Sequence, residues 1–216
     1  MRIVTLASGV GNVRSVVRAL ERVTVHAQPT SIVTTADPEV IRGADVLVVP
    51  GQGSFGAFAA ALDSGLRETL LERIRAGVPY LGICLGLQIL FDESEEAPGA
   101  RGLGVLRGSV RRLTPGVDPT VGRALPLPHM GWNRVALREE HEPGGALVAP
   151  AHYYFAHSYA AAPAEPDVTL STTTYGAETF TSSVQRDNVV GIQFHPEKSQ
   201  SAGLSLLERF FSRLAR

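Results

Sequence analysis

Four apolar, β-branched runs in the first 84 residues constrain the architecture: Ile3 to Leu6, Ile32-Val33, Val46 to Val49 before Pro50-Gly51, and Tyr80 to Ile83 between Pro79 and Cys84. Runs without polar alternation are strands buried on both faces, as in parallel sheets covered by helices. The intervals carry helical spacing. Val13, Val16, Val17 and Leu20 fall at i, i+3, i+4 and i+7 after Asn12, an N-cap residue type, and Leu62, Leu66, Leu70 and Ile74 recur every four residues until Gly77-Val78-Pro79 stops the pattern. Strand alternating with helix predicts an α/β fold with a mostly parallel central sheet. From about Gly102 to Phe194 the texture changes to short β-rich pieces, among them Val105 to Arg112 and Val168 to Thr174, joined by Pro/Gly turns. These predict an antiparallel extension of the same sheet. Leu204, Leu207, Phe211 and Leu214 predict a closing amphipathic helix. With no internal repeat and no linker, residues 1–216 read as a single domain.

Composition narrows the function classes. Twenty Lys and Arg against 21 Asp and Glu leave a formal charge of −1, no basic footprint for nucleic acid. No apolar run approaches the ~18 residues of a membrane helix. Ile3 to Ala7 imitates the start of a signal peptide, but Gly9, Gly11, Asn12 and Arg14 interrupt it, so it reads as a first strand of a cytoplasmic protein. A single cysteine, Cys84, excludes an intramolecular disulfide and a Cys-rich zinc site, and neither metal nor cofactor is expected.

Three segments offer chemistry. Gly51-Gln52-Gly53-Ser54-Phe55-Gly56 matches G-x-G-x-x-G after a strand, but that fingerprint belongs in the first βα turn, where Arg14 replaces the third glycine. A glycine loop at a strand's carboxyl end also brings backbone N–H groups close to a substrate, as an oxyanion hole requires. Gly82-Ile83-Cys84-Leu85-Gly86 is the G-x-nucleophile-x-G elbow with Cys in place of Ser, set between the strand Tyr80 to Ile83 and the helical stretch Leu85 to Phe91. Such a turn projects the sulfur into a cleft, and a helix N-terminus favours a thiolate. A nucleophilic Cys needs a base, and the base an orienting partner. Of six histidines, only His195 has an acid two residues on, in Gln193-Phe194-His195-Pro196-Glu197. Pro196 predicts an extended segment with His195 and Glu197 on one side, and Lys198 pointing away. Gln88, one turn after Cys84, faces the same pocket.

The elbow and the late His-Pro-Glu resemble the class I glutamine amidotransferases. Within that class the chain is similar to the glutaminase subunits of imidazole glycerol phosphate synthase. The similarity runs through Gly11-Asn12 with Ser15, Pro50-Gly51-x-Gly53-x-Phe55, Ser94-Glu95-Glu96, His129-Met130-Gly131-Trp132-Asn133, Tyr154-Phe155-x-His157-Ser158-Tyr159 and Glu197-Lys198-Ser199. It implies a flavodoxin-like three-layer sandwich and a triad of Cys84, His195 and Glu197. It also implies an oxyanion hole from Leu85 and the Gln52-Gly53 loop, and substrate contacts from Gln88, Glu96, Ser158 and Tyr159. The implied substrate is L-glutamine. The implied partner, in a heterodimer, is a (β/α)₈ cyclase subunit that uses the ammonia to form imidazole glycerol phosphate and an aminoimidazole ribotide, with Asn12 and Lys198 toward it. The chain departs from the family at Ala7-Ser8-Gly9, commonly Asp-Tyr-Gly, and at Gln52, commonly Val.

Two other readings share these residues. An amidotransferase for anthranilate, carbamoyl phosphate or guanylate synthesis, or a Cys peptidase on the same fold, would keep Cys84 and His195 but lack Met130-Gly131-Trp132-Asn133. A non-catalytic nucleotide-binding module would be built on the Gly51 to Gly56 loop.

Overall fold

The computed structural model describes residues 1–7, 13–25, 30–63, 65–118, 122–138 and 147–214. In chain order the elements are β1 (Arg2–Leu6), α1 (Val13–Thr24), β2 (Ser31–Thr35), α2 (Pro38–Arg42), β3 (Val46–Gly51), α3 (Phe55–Leu62), α4 (Leu66–Arg75), β4 (Tyr80–Cys84), α5 (Leu85–Gln88), β5 (Glu93–Ser94), β6 (Gly108–Arg112), β7 (His129–Leu137), β8 (Ala151–His157), β9 (Tyr159–Pro163), β10 (Thr169–Tyr175), β11 (Glu178–Arg186), β12 (Val189–Ile192) and α6 (Gln200–Leu214). The sheet runs β2-β1-β3-β4-β12-β11-β10-β7-β8, with β9 pairing β11 and β6 beside this path. Its first five strands are parallel and the remainder of the path is antiparallel. That parallel order is flavodoxin-like, a topology whose ligands sit outside the carboxyl ends of the strands.

Successive residues of a buried strand face opposite layers. Val46 and Val48 pack with Val16, Leu20, Leu206 and Phe210 of α1 and α6, whereas Leu47 and Val49 pack with Ile41, Phe58, Leu62 and Leu70 on the other face. Each such side chain, removed from water, contributes about 1.5–3 kcal/mol before entropy is counted. Among the described residues no helix is long and apolar enough to cross a membrane.

The fourfold leucine spacing corresponds to two helices, not one. α3 ends at Leu62 and α4 starts at Leu66, with Gly65 between them at φ 96. The break leaves Leu62 and Leu66 in the same apolar cluster, so the spacing survives an interruption that only backbone conformation reveals. The helix after Cys84 is likewise shorter than Leu85 to Phe91, covering Leu85–Gln88.

Candidate active site

The site begins with a strained turn. β4 runs directly into α5, and Cys84 between them adopts φ 54, ψ −106, a conformation that costs a non-glycine residue of order 1–3 kcal/mol. The small neighbours make it possible. A Cβ on Gly82 would lie 2.3 Å from the Gly86 carbonyl oxygen, and one on Gly86 would lie 1.7 Å from that of Val49. The Tyr80 hydroxyl, fully buried, donates to the Gly86 carbonyl at 2.8 Å and pins the far side of the turn. Burial raises the Tyr80 pKa, so that hydroxyl stays a donor.

Opposite this turn, the chain leaving β12 delivers His195. Its N–H donates to the Tyr154 carbonyl at 2.8 Å. Ser199 Oγ donates to the His195 carbonyl at 2.6 Å and accepts the Tyr154 N–H at 3.0 Å, tying the segment to β8. The His195 Nδ1 lies 2.9 Å from Glu197 Oε1, with side chains 4% and 2% exposed, and the imidazole shares the pocket wall with Cys84. Burial opposes the imidazolium, but the hydrogen bonds to Cys84 and Glu197, reinforced by the charges of both, push His195 up to about 10.

The extended segment expected after Pro196 is instead a 3-10 turn over Pro196–Lys198. Proline suits the first turn of a helix as well as a strand, because its N–H would be unpaired there anyway. The turn folds Glu197 back onto the imidazole. In 3-10 geometry residues i and i+3 lie on one side, so Lys198 shares the side of His195 and lines the pocket.

The pocket has a volume of about 370 Å³. Cys84, Leu85, His195, Gln52 and Gly53 line it together, as do Gln88, Glu96, Ser158, Tyr159 and Lys198. Glu197 stands behind His195, and Asn12 lies outside the described residues. Gln88 is buried and donates to the Tyr159 carbonyl at 2.8 Å. Glu96 Oε2 accepts the Phe55 N–H at 2.7 Å, while Ser54 Oγ caps α3 by accepting the Ala57 N–H at 3.3 Å. The helix N-terminus that a nucleotide phosphate would use after the Gly51 loop is therefore occupied by the chain's own carboxylate and cap.

Three residues beyond the sequence-based set hold the site: Tyr80 and Ser199, already described, and Gln193, fully buried with Nε2 3.5 Å from Cys84 Sγ. Gln193 and Ser199 flank the His-Pro-Glu in sequence, and a polar residue at the exit of an apolar strand is the signal that marks Gln193.

The chain matches the family described as Glutamine amidotransferase class-I over residues 6–214. It belongs to the class I glutamine amidotransferases. Its relatives in this family include proteins named imidazole glycerol phosphate synthase subunit HisH. The one from Nitrosomonas europaea is 47% identical over 94% of this chain and 93% of its own length, and that from Aquifex aeolicus 44% identical over 97% and 96%. The Pyrococcus furiosus relative is 41% identical over 97% of both chains. A solved structure described as a glutamine amidotransferase superposes with a TM-score of 0.71 at 20% identity, covering 99% of each chain, and agrees with this fold.

Proposed function

We propose that this amidotransferase is the glutaminase subunit of imidazole glycerol phosphate synthase, acting as one unit that hydrolyses L-glutamine to L-glutamate and ammonia and passes the ammonia to the cyclase subunit, HisF. The observation that carries the chemistry is Cys84 and His195 sharing one pocket at the carboxyl ends of β4 and β12, with Glu197 hydrogen-bonded to the imidazole from behind. Relatives named as HisH, at 41–47% identity over nearly the whole chain, carry the choice of synthase.

In this reading the Cys84 thiolate attacks the carboxamide carbon, and the carbonyl pair moves onto oxygen. The oxyanion is held by the N–H of Leu85 and one from Gln52-Gly53. His195 as imidazolium protonates the nitrogen as the C–N bond breaks, releasing ammonia and leaving a glutamyl thioester. Water, deprotonated by His195, adds to the thioester, the C–S bond breaks, and glutamate departs. Glu197 holds the imidazole and balances its cation. Glu96, Ser158, Tyr159 and Gln88 line the space available to the amino-acid end of the substrate.

The mouth of the pocket supports a docked partner. Met130 and Trp132 are large exposed apolar side chains, Trp132 meets Tyr154 edge-on at 6.3 Å, and the Lys198 ammonium lies 5.5 Å above the Tyr154 ring. A cyclase seated there receives ammonia before it is protonated and diluted in solvent. The test is Cys84→Ala: glutamine hydrolysis should vanish while the complex with the cyclase still turns over added ammonium salt. Glutamine hydrolysis near the original rate would remove Cys84 as nucleophile.

A further inference from the structure

The sulfur has a second donor besides the histidine. Gln193 Nε2 lies 3.5 Å from Cys84 Sγ, Gln193 Oε1 lies 3.1 Å from Gln88 Nε2, and Gln88 Nε2 lies 2.8 Å from the Tyr159 carbonyl oxygen. The polarity of this series follows from its far end. A backbone carbonyl only accepts, so the group of Gln88 facing Tyr159 is its NH₂. That NH₂ also faces Gln193, which must answer with its oxygen and turn its own NH₂ toward the sulfur. Reversing Gln193 would set two donors against each other at one end and its oxygen against a thiolate at the other. The same Tyr159 carbonyl lies 2.9 Å from His157 Nδ1, a second N–H on one acceptor.

We propose that Gln193 is a catalytic residue for the reaction assigned above: its amide N–H holds the Cys84 thiolate, loses that bond as sulfur becomes a thioester, and regains it when sulfur leaves. This rests on Cys84 being the nucleophile. Cys84 is 7% exposed and Gln193 0%, so protein donors take the place of water around the anion. A hydrogen bond to an ionised group favours that form, whereas thioester sulfur is a weak acceptor. No proton leaves Gln193 at any step. When the C–S bond forms, a sulfur lone pair goes to carbon. When it breaks, the pair returns to sulfur, where the amide N–H and the imidazole face it. The amide therefore assists the thiolate as nucleophile precursor and as leaving group.

The test reads the thiol directly, by iodoacetamide alkylation of Cys84 across pH in the full chain, beside glutamine turnover. Gln193→Leu removes the donor. Gln193→Glu keeps the size and an acceptor for Gln88 but turns an oxygen to the sulfur. The other ionisable groups around the pocket are unchanged in both: His195 and Glu197 after β12, His157 and Tyr159 of β8 and β9, Glu96, and Lys198 at the mouth. Alkylation at neutral pH should fall about tenfold, the size of one hydrogen bond to a charged group, and recover in alkaline buffer. Should Gln193→Leu fail to fold, Gln193→Glu decides alone. A folded variant with the original alkylation profile would overturn the proposal, as would a loss that alkaline buffer does not restore, which would assign Gln193 to packing. Glutamine hydrolysis surviving in Cys84→Ala would instead overturn the assigned reaction, an outcome separate from either alkylation result.

Discussion

At the scale of single residues, the proposed triad carries an electrostatic asymmetry. Glu197 is buried with one oxygen on His195 Nδ1, and its other oxygen, also buried, has no hydrogen-bond partner among the described residues. The carboxylate thus depends on the imidazolium for nearly all its compensation. Removing one member of a buried pair strands the other charge, at a cost of about 3–5 kcal/mol. His195→Ala should therefore destabilise the fold by roughly that amount in denaturant unfolding. Adding Glu197→Gln in the same chain should return most of it, because the stranded charge is gone. In turnover the order reverses: Glu197→Gln alone should lose less than His195→Ala, since the base remains. A His195→Ala chain as stable as the parent would mean that Glu197 finds another partner on its loss.

At the scale of elements, the β4-α5 elbow and the α3-α4 turn use glycine for different reasons, and substitution separates them. Gly65 has positive φ and open space around its missing Cβ, so Gly65→Ala should cost only the conformational term, about 1–2 kcal/mol. Gly86 would drive its Cβ into the Val49 carbonyl of the neighbouring strand, backbone that cannot yield. Gly86→Ala should cost about 3 kcal/mol or more and take the Cys84 turn with it; equal melting temperatures for the two variants would refute this account. The contrast also explains what could be read from the sequence. The elbow is a local device, strand, small residue, nucleophile, small residue, helix, so Gly82 to Gly86 announce it directly. The pairing of β4 with β12, from Tyr80 with Val189 to Ile83 with Ile192, brings Cys84 and His195 together across the sheet, and no local signal records it. The family resemblance supplied that link. Apolar spacing located the core side of Leu62 and Leu66 but could not see Gly65 turning the chain. Proline at position 196 is compatible with both an extended strand and a 3-10 start, so the sequence alone does not set the direction of Lys198.

At the scale of the whole molecule, the antiparallel half of the sheet reaches from the pocket to the surface proposed for the cyclase. Lys198 stands at that boundary, exposed in the isolated chain and above Tyr154. If it meets a carboxylate of the docked partner, Lys198→Ala should weaken assembly or partner-stimulated glutaminase by the ~2–5 kcal/mol typical of a broken, desolvated interfacial pair, with the isolated chain's melting temperature unchanged. Unaltered assembly and stimulation at moderate salt would return it to a solvated lysine. Behind this surface, β7 and β8 bury two histidines whose tautomers are dictated in sequence. The Tyr159 carbonyl 2.9 Å away requires an N–H at His157 Nδ1, so His157 Nε2 accepts from His129 Nδ1 at 3.1 Å, and His129 Nε2 accepts from Asn133 Nδ2 at 3.2 Å. Both rings must be neutral, because an added proton would set two N–H groups against each other. Burial pushes His129 down to about 4 and His157 to about 3, the latter helped by the charges of His129 and His195 and opposed by its bond to Tyr159. In the unfolded chain both titrate near the ordinary 6.5. Between these limits the unfolded chain binds more protons at these two sites than the folded one, so the pair's contribution to stability is complete above about 6.5, falls as pH drops toward about 3, and levels off below. The melting temperature should decline across that window, and a chain with both His129→Gln and His157→Gln, though less stable at neutral pH, should decline less steeply. Identical slopes in the two chains would assign the acid sensitivity to carboxylates elsewhere and leave the histidine pair a purely packed feature of the sheet.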